Sequence, residues 1–97
     1  MVMIRISEHV QHASSYDDGE KIYQLIAPEI LAGSDVEVSF AGIHAVPSAF
    51  VNAAFLKLLE IVSMDRIKSS LRFIDSTKFI NELIRKRFEF AESAAGH

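Results

Sequence analysis

Cysteine and tryptophan are absent from this chain of 97 residues, and proline occurs only twice. A chain without cysteine forms no disulfide and no thiolate metal site, which suits a reducing compartment. No apolar run approaches the roughly 18 residues that a membrane-spanning helix needs, and the apolar stretch within residues 1–10 is too short for a signal peptide. We therefore expect a soluble, cytoplasmic protein that has no membrane partner.

Basic residues are concentrated in one segment of the chain, whose net charge is −3. Residues 1–65 contain nine acidic and three basic residues, whereas residues 66–87 contain two acidic and seven basic residues. A basic segment can bind nucleic acid, but this one lacks the interleaved aromatic residues of a stacking platform. Arg85, Lys86 and Arg87 also fall late in a predicted helix, where cations interact favourably with the helix dipole. We therefore do not expect nucleic-acid binding.

Alternating and helical patterns divide the chain into six elements. Hydrophobic residues make up 49% of the chain, which is enough for the core of a single domain over residues 1–97. Alternation of apolar and polar residues predicts strands at 2–6, 35–40 and 67–74. Apolar residues at helical spacing predict helices at 16–31, 48–63 and 77–92.

Individual residues mark the ends of these helices. Ser15 and Ser76 are predicted to cap the first and third helices, and Gly33 follows the end of the first. Pro28 predicts a kink or break near Ala27, because proline removes a backbone donor and clashes with the preceding turn. The third helix is predicted to bury five apolar residues: Phe79, Ile80, Leu83, Ile84 and Phe88.

The order of the elements predicts an α/β fold with the pattern βαβαβα. Three successive strand-helix pairs favour a small, mainly parallel sheet with right-handed crossovers. Each predicted strand has one polar face, unlike the continuously apolar strands of a sheet covered on both sides. We therefore expect the helices to lie mostly on one face. The other face would present polar side chains to solvent or to a partner: Arg5, Glu37, Ser39, Lys68 and Arg72.

Motifs for catalysis or cofactor binding are missing. The sequence has no G-x-S-x-G elbow for a nucleophilic serine and no glycine-rich phosphate-binding motif. His9 and His12 form a pair without a recognised zinc spacing, and no acidic residue is clearly placed to orient His44 as a base. We predict that the protein is not an enzyme and uses no metal or cofactor. The remaining enzyme hypothesis is a site built from His9, His12, Asp17 and His44.

The second predicted helix, 48–63, has a wide apolar surface. Its apolar residues span roughly half of the helical circumference, more than the stripe of about 100° that is typical of a surface helix. Leu56 adds apolar area on the remaining side. Two interpretations stay open: the helix is wedged between the sheet and its neighbours, or it also contacts a second chain.

Three segments, in their order and spacing, resemble the STAS-like domain family, whose function is unknown. They are Gly19-Glu20-Lys21-Ile22 at the start of the first helix, the stretch VEVSFAGIHAVPSAFVNAAFLKLLE, and the stretch IKSSLRFIDSTKFINELIRKRF. The resemblance covers almost the whole chain. It implies a STAS-like fold over residues 1–97.

In layout, the chain is also similar to the STAS domains of anti-sigma-factor antagonists. The resemblance implies a serine at a helix start that a partner kinase of the histidine-kinase-type ATPase fold phosphorylates, which switches partner binding. Ser48 occupies the comparable place and is the phosphorylation candidate. The surrounding turn differs, because Val46, Pro47 and Ala49 replace an acidic residue, a serine and a glycine. Independently of the resemblance, Ser48 is predicted to be a helix N-cap.

The preferred hypothesis is therefore a non-enzymatic protein-interaction and regulatory module, whose partner is a protein such as a histidine-kinase-type ATPase. The candidate interaction residues lie around Ser48: Pro47, Phe50, Val51, Asn52 and Leu56. The alternative is a structural homodimer, or an accessory subunit of a larger complex, without a phosphorylation switch.

Overall fold

A computed structural model of the chain describes residues 1–95. Within them, three strands and four α-helices are accompanied by two short 3₁₀ segments, Ile6–Glu8 and Leu56–Glu60. The strands are β1 (Val2–Arg5), β2 (Val36–Ser39) and β3 (Leu71–Ile74). The helices are α1 (Tyr16–Leu31), α2 (Ser48–Ala54), α3 (Met64–Ser70) and α4 (Lys78–Ala95).

The strands form one parallel sheet in the order β1-β2-β3. The register places Ile4 beside Val38 and Val38 beside Phe73. Ile4 and Val38 are buried in the core together with residues of the helices, whereas Met3 and Arg5, which point to the opposite face, are exposed. The helices therefore cover mainly one face of the sheet, and the predicted α/β fold class is confirmed.

Two residues depart from the predicted open face. Ser39 is completely buried, because its hydroxyl is turned to the carboxylate of Asp75 at the end of the sheet. Lys68 does not lie on the sheet, since it belongs to α3. Arg5 and Arg72 are exposed, as the alternation predicts.

Helix α1 begins and ends where the sequence predicts. Ser15 caps it by accepting a hydrogen bond from the backbone N–H of Asp18. Gly33 follows with a φ of 90°, a conformation that glycine adopts without strain. Pro28 does not break the helix, so the predicted break near Ala27 is wrong, and the alternative of a kink stays a prediction. Because Pro28 lies in the last turn, its missing N–H removes a single helical hydrogen bond, and its carbonyl still accepts from the N–H of Ala32.

The predicted second helix is interrupted at Phe55, which corrects the range 48–63. Helix α2 ends at Ala54, and Phe55 has a φ of −120° and a ψ of −47°, outside the α-helical range. The chain continues as the 3₁₀ segment Leu56–Glu60. The wide apolar surface of one long helix therefore does not form. Its apolar residues instead pack into the core from two short elements, α2 and the 3₁₀ segment.

The predicted third strand is helical over its first half. Helix α3 extends to Ser70, and β3 begins only at Leu71. Ser63 caps α3 by accepting a backbone hydrogen bond, a start signal that the apparent alternation obscured. Ile67, in the last turn of α3, and Leu71, the first residue of β3, are both buried in the core.

Helix α4 is capped by Thr77, which corrects the cap predicted at Ser76. The backbone N–H of Ile80 donates to Thr77 Oγ1 over 3.1 Å. Ile80 and Ile84 are buried as predicted, but Phe79 is 61% exposed. Its assignment to the buried face is therefore wrong. One residue separates two side chains by about 100° around a helix, so Phe79 turns away from the core that Ile80 enters.

Phenylalanine side chains join the sheet to the helices in the core. The ring of Phe55 lies 6.1 Å from that of Phe40, 6.2 Å from that of Phe50 and 4.9 Å from that of Phe73. All three contacts are edge-to-face, the arrangement that aromatic quadrupoles favour. In the described part of the chain, no helix has the length and apolar character needed to cross a membrane.

Candidate interaction site

The three parallel strands end at the same side of the sheet, which we call the carboxyl edge. Residues 40–47 leave this edge after β2, and residues 75–77 leave it after β3. Binding sites in open α/β sheets are commonly found outside the carboxyl ends of the strands. The candidate residue Ser48 begins α2 directly after the first of these two loops.

Side-chain hydrogen bonds tie the two loops to each other. The hydroxyl of Ser39 donates to Asp75 Oδ2 over 2.7 Å, and Thr77 Oγ1 donates to the carbonyl of His44 over 3.2 Å. Asp75 has a φ of 54°, a left-handed conformation that is uncommon for residues other than glycine. The hydrogen bond from Ser39 stabilises Asp75 in this conformation. The two loops are therefore fixed relative to each other.

Ser48 is exposed and is not the cap of its helix. Pro47 occupies the N-cap position of α2, and Ser48 is the first helical residue. The prediction that Ser48 caps the helix is therefore wrong, because the extended Pro47 takes the N-cap position and Ser48 is already helical. No side-chain hydrogen bond caps α2, so capping does not explain the presence of a serine at this position.

The other candidate residues divide into accessible and inaccessible ones. Pro47 is exposed, and Asn52 and Leu56 are half-buried. Asn52 accepts a hydrogen bond from Arg87 Nε over 3.1 Å, which links α2 to α4. Phe50 and Val51 are completely buried. Their selection as contact residues is corrected, because their side chains pack in the core of this chain and offer no surface to a partner.

Leu56 packs partly against the core from the start of the 3₁₀ segment. The same segment contains Lys57, whose Nζ forms an ion pair with Glu20 and lies 4.9 Å from the centre of the Tyr23 ring. Part of the Leu56 side chain remains accessible beside these polar contacts. Its contact with a second chain stays a prediction.

An exposed aromatic residue near the carboxyl edge was missed by the sequence analysis. Phe79 follows the cap Thr77 by two residues, and Thr77 is bound to the loop that leads to Ser48. Phe79 and Leu83 lie one turn apart on α4, and Leu83 is only half-buried. Helical spacing could have identified this second stripe, but it could not show which of the two apolar stripes faces the core.

The polar residues of the enzyme hypothesis are not assembled into a site. His9, His12, Asp17 and His44 are all exposed. Within residues 1–95, no three His, Asp or Glu side chains are grouped so that they could hold a metal ion. The geometry therefore offers no support for a catalytic centre at these four residues.

The sequence pattern of a known family, the STAS-like domain of unknown function (DUF4325), matches residues 18–80. The chain belongs to this family. The match begins in the first turn of α1, includes Ser48, and ends in the first turn of α4. No curated protein and no solved structure matched the chain.

The Gly-Glu-Lys-Ile stretch of this STAS-like domain holds α1 against the segment that follows Ser48. A side chain on Gly19 would place its Cβ 2.5 Å from the carbonyl oxygen of Phe50, so only glycine permits the close approach of α1 and α2. Glu20 forms the ion pair with Lys57, and Ile22 is completely buried. These residues of the STAS-like motif therefore position the buried side of α2. The exposed first residue of α2, Ser48, takes no part in these contacts.

Proposed function

We propose that this STAS-like domain is a non-enzymatic, cytoplasmic protein-interaction module that binds a protein partner at its carboxyl edge. The observation that carries the proposal is the exposed hydroxyl of Ser48, which the helix does not use as a cap. Binding is regulated by phosphorylation of Ser48. The partner is a kinase of the histidine-kinase-type ATPase fold, as the resemblance to antagonist STAS domains suggests.

The surface around Ser48 supports protein binding. Pro47, Ser48 and Ala49 are exposed in succession, and Phe79 adds an exposed aromatic ring near the same edge. Aromatic side chains are enriched in the centres of protein interfaces. Because hydrogen bonds fix the two loops behind this surface, a partner would lose little free energy in ordering it.

Phosphorylation of Ser48 would change this surface by charge. A phosphate adds about −1.5 to −2 charges at neutral pH. Pro47 and Ala49, which flank Ser48, carry no charge, so a partner that covers them would have to remove water from the phosphate. We therefore expect phosphorylated Ser48 to weaken the complex without unfolding the domain.

The test compares tagged wild type, Ser48→Asp and Ser93→Asp in partner capture from cells that produce the protein. Ser93 is exposed in the last part of α4, so it controls for an added surface charge. We expect wild type and Ser93→Asp to retain the same ATPase-type kinase and Ser48→Asp to lose it. Intact mass should show one phosphate on wild type after incubation with that kinase and ATP, and none on Ser48→Ala.

Equal partner capture by all three proteins, with no phosphate on the wild type, would contradict the proposal. That result would favour the alternative of a structural homodimer or accessory subunit without a switch. The specific observation in favour of self-association is the outer edge of β1, with which no strand pairs within residues 1–95.

A further inference from the structure

Strand β1 has a free edge. It lies at one end of the sheet, and within residues 1–95 no strand pairs with its outer side. The N–H of Val2 donates to the carbonyl of Asp35 over 2.9 Å, so the backbone groups of Val2 and Ile4 face β2. Since these groups alternate in direction along a strand, the N–H and C=O groups of Met3 and the N–H of Arg5 point outward, while the carbonyl of Arg5 begins the 3₁₀ segment Ile6–Glu8.

The edge of β1 carries few of the features that normally prevent pairing. Protected edges contain lysine, proline or a bulge, and β1 has the sequence Val-Met-Ile-Arg. Met3 is 53% exposed, and the preceding Met1 is 75% exposed. Unpaired backbone groups with apolar side chains beside them are the features of a strand that pairs with another strand.

The opposite edge of the sheet is also partly used by a helix. Helix α3 runs directly into β3, and the N–H of Leu71 is used in a hydrogen bond to the carbonyl of Ile67. One of the outward donors of β3 is therefore already satisfied. The β1 edge differs in the exposed apolar side chains of Met1 and Met3 that lie beside its unpaired groups.

We propose that β1 pairs in antiparallel orientation with β1 of a second copy of this chain. The two-fold axis passes beside Met3, so that Met3 lies opposite Met3 of the second copy and Val2 lies opposite Ile4. In this register the outward-pointing N–H and C=O groups of Met3 can hydrogen-bond to those of Met3 in the second copy. Val2 and Ile4 lie opposite each other, and both belong to the face of the sheet that the helices cover. The two three-stranded sheets then become one continuous sheet with all helices on the same side.

The charge of Arg5 selects this arrangement over a parallel one. In parallel pairing with equal register, the two Arg5 side chains would lie side by side, and like charges directly opposite are destabilising. In the antiparallel register Arg5 lies opposite Met1, and the two arginines are separated by about four residues, roughly 13 Å along the strand. The edge of β1 is therefore complementary to the edge of β1 in a second copy of the same chain.

The expected dimer is weak and presents two carboxyl edges at opposite ends. Pairing of four-residue strands buries less than the roughly 1,600 Å² of a standard interface, so the dimer should dissociate on dilution. Ser48 is exposed at the start of α2, after the loop that follows β2, and is not part of the β1 edge, so it remains accessible. The dimer would therefore bring two partner-binding surfaces into one particle.

Sedimentation velocity over a wide concentration range tests the association. Wild type should shift from monomer to dimer, and Met3→Lys should weaken the dimer at least about tenfold, which corresponds to 1.4 kcal/mol. The control is Leu31→Lys, which places the same charge at another exposed apolar residue, 61% exposed at the end of α1. Circular dichroism establishes that the variants are folded.

Disulfide trapping tests the register, because the natural chain has no cysteine. Directly opposed residues of a hydrogen-bonded antiparallel pair have Cα atoms about 5.5 Å apart, within the range of about 4.4–6.8 Å that a disulfide spans. Met3→Cys should form a covalent dimer rapidly on oxidation, and Leu31→Cys should not. A wild type that is monomeric at every concentration would overturn the proposal, as would equal cross-linking of the two cysteine variants.

Discussion

The carboxylate of Asp18 stabilises the start of α1 through local hydrogen bonds. Its Oδ2 accepts from the backbone N–H of Ser14 over 3.2 Å, while its own N–H donates to Ser15 Oγ over 3.1 Å. The hydrogen bond from the Ser14 N–H is the main cause that lowers the pKa of Asp18 below its ordinary value of 3.8. The ionised carboxylate is therefore favoured in the folded state.

Substitution of Asp18 by asparagine should change how stability depends on pH. A carboxyl group whose pKa is lowered by folding contributes stability above its unfolded pKa, and this contribution is lost as the pH falls through the folded pKa. Wild type should therefore lose stability below about pH 4 more steeply than Asp18→Asn. Chemical denaturation at several pH values measures both slopes.

Asp17→Asn is the matched control for this measurement. It removes a carboxylate from the same helical turn, and the Asp17 side chain is exposed. Parallel acid slopes for wild type and Asp18→Asn would show that the hydrogen bond from Ser14 does not stabilise the folded state.

Residue-scale patterns predicted the N-cap of α1 but not the N-caps of α2 and α4. Ser15 is followed by two acidic residues and an apolar periodicity, and it is the cap. At Ser48 and Ser76 the neighbouring residue takes the cap position instead. Pro47 has the extended φ and ψ of an N-cap, and Thr77, which is also a favoured N-cap residue, competes with Ser76. Adjacent residues of similar propensity leave the choice to tertiary contacts.

At the scale of elements, α1 and α2 pack closely against each other. The helices approach at Gly19, where an added Cβ would lie 2.5 Å from the carbonyl oxygen of Phe50 and 2.9 Å from Cβ of Ala53. The first of these neighbours is backbone, which cannot move without displacing α2. The approach also positions Phe50, whose ring is completely buried.

Substitution of Gly19 by alanine should destabilise the domain. Intrinsic helix propensity alone predicts a gain of about 1 kcal/mol for this change, but overpacking in a core typically costs about 1–3 kcal/mol. A contact of 2.5 Å with a backbone atom should place the overpacking cost near the upper end of this range. We therefore expect a net decrease in the free energy of unfolding. Urea denaturation of the two proteins measures it.

The sign of the effect makes the Gly19→Ala measurement decisive. A variant that is more stable than wild type would show that α1 and α2 can separate without cost. In that case the Gly-Glu-Lys-Ile stretch would have no packing role at this position, and helix propensity would account for the result.

Two boundaries between elements could not be predicted from local patterns. A break at Phe55 has no proline or glycine signal, because the residues on both sides are apolar and compatible with a helix. The break depends on the ring of Phe55 entering the cluster with Phe40 and Phe73, which are distant in sequence. The segment Ile67–Leu71 satisfies both helical spacing and partial alternation, and only the cap at Ser63 decides between them.

At the scale of the whole molecule, the fold class was predictable because it depends on the order of elements and not on their exact ends. The chain still forms a parallel sheet with helices on one face, although one predicted helix is divided and one predicted strand is shortened. The arrangement of the carboxyl edge was not predictable. It depends on the bonds of Ser39 to Asp75 and of Thr77 to His44, which join residues more than thirty positions apart.

The phenylalanines allow a direct comparison between core and surface. Phe55 is completely buried among three other rings, whereas Phe79 is 61% exposed. Phe55→Ala should lower the free energy of unfolding by about 3–5 kcal/mol, because it leaves a cavity where the sheet meets the helices. A domain of this size has a total stability of roughly 5–15 kcal/mol, so this single change removes a large part of it.

Phe79→Ala is the matched control, since it makes the same chemical change on the surface. It should alter the free energy of unfolding by no more than about 0.5 kcal/mol, while weakening capture of a partner that binds the carboxyl edge. Thermal denaturation of both variants separates the two effects, because a loss of 1 kcal/mol lowers Tm by about 4–8 °C in a small domain. Equal destabilisation by the two substitutions would mean that Phe79 is part of the core, as its helical spacing with Leu83 first indicated, and would remove it from the interaction surface.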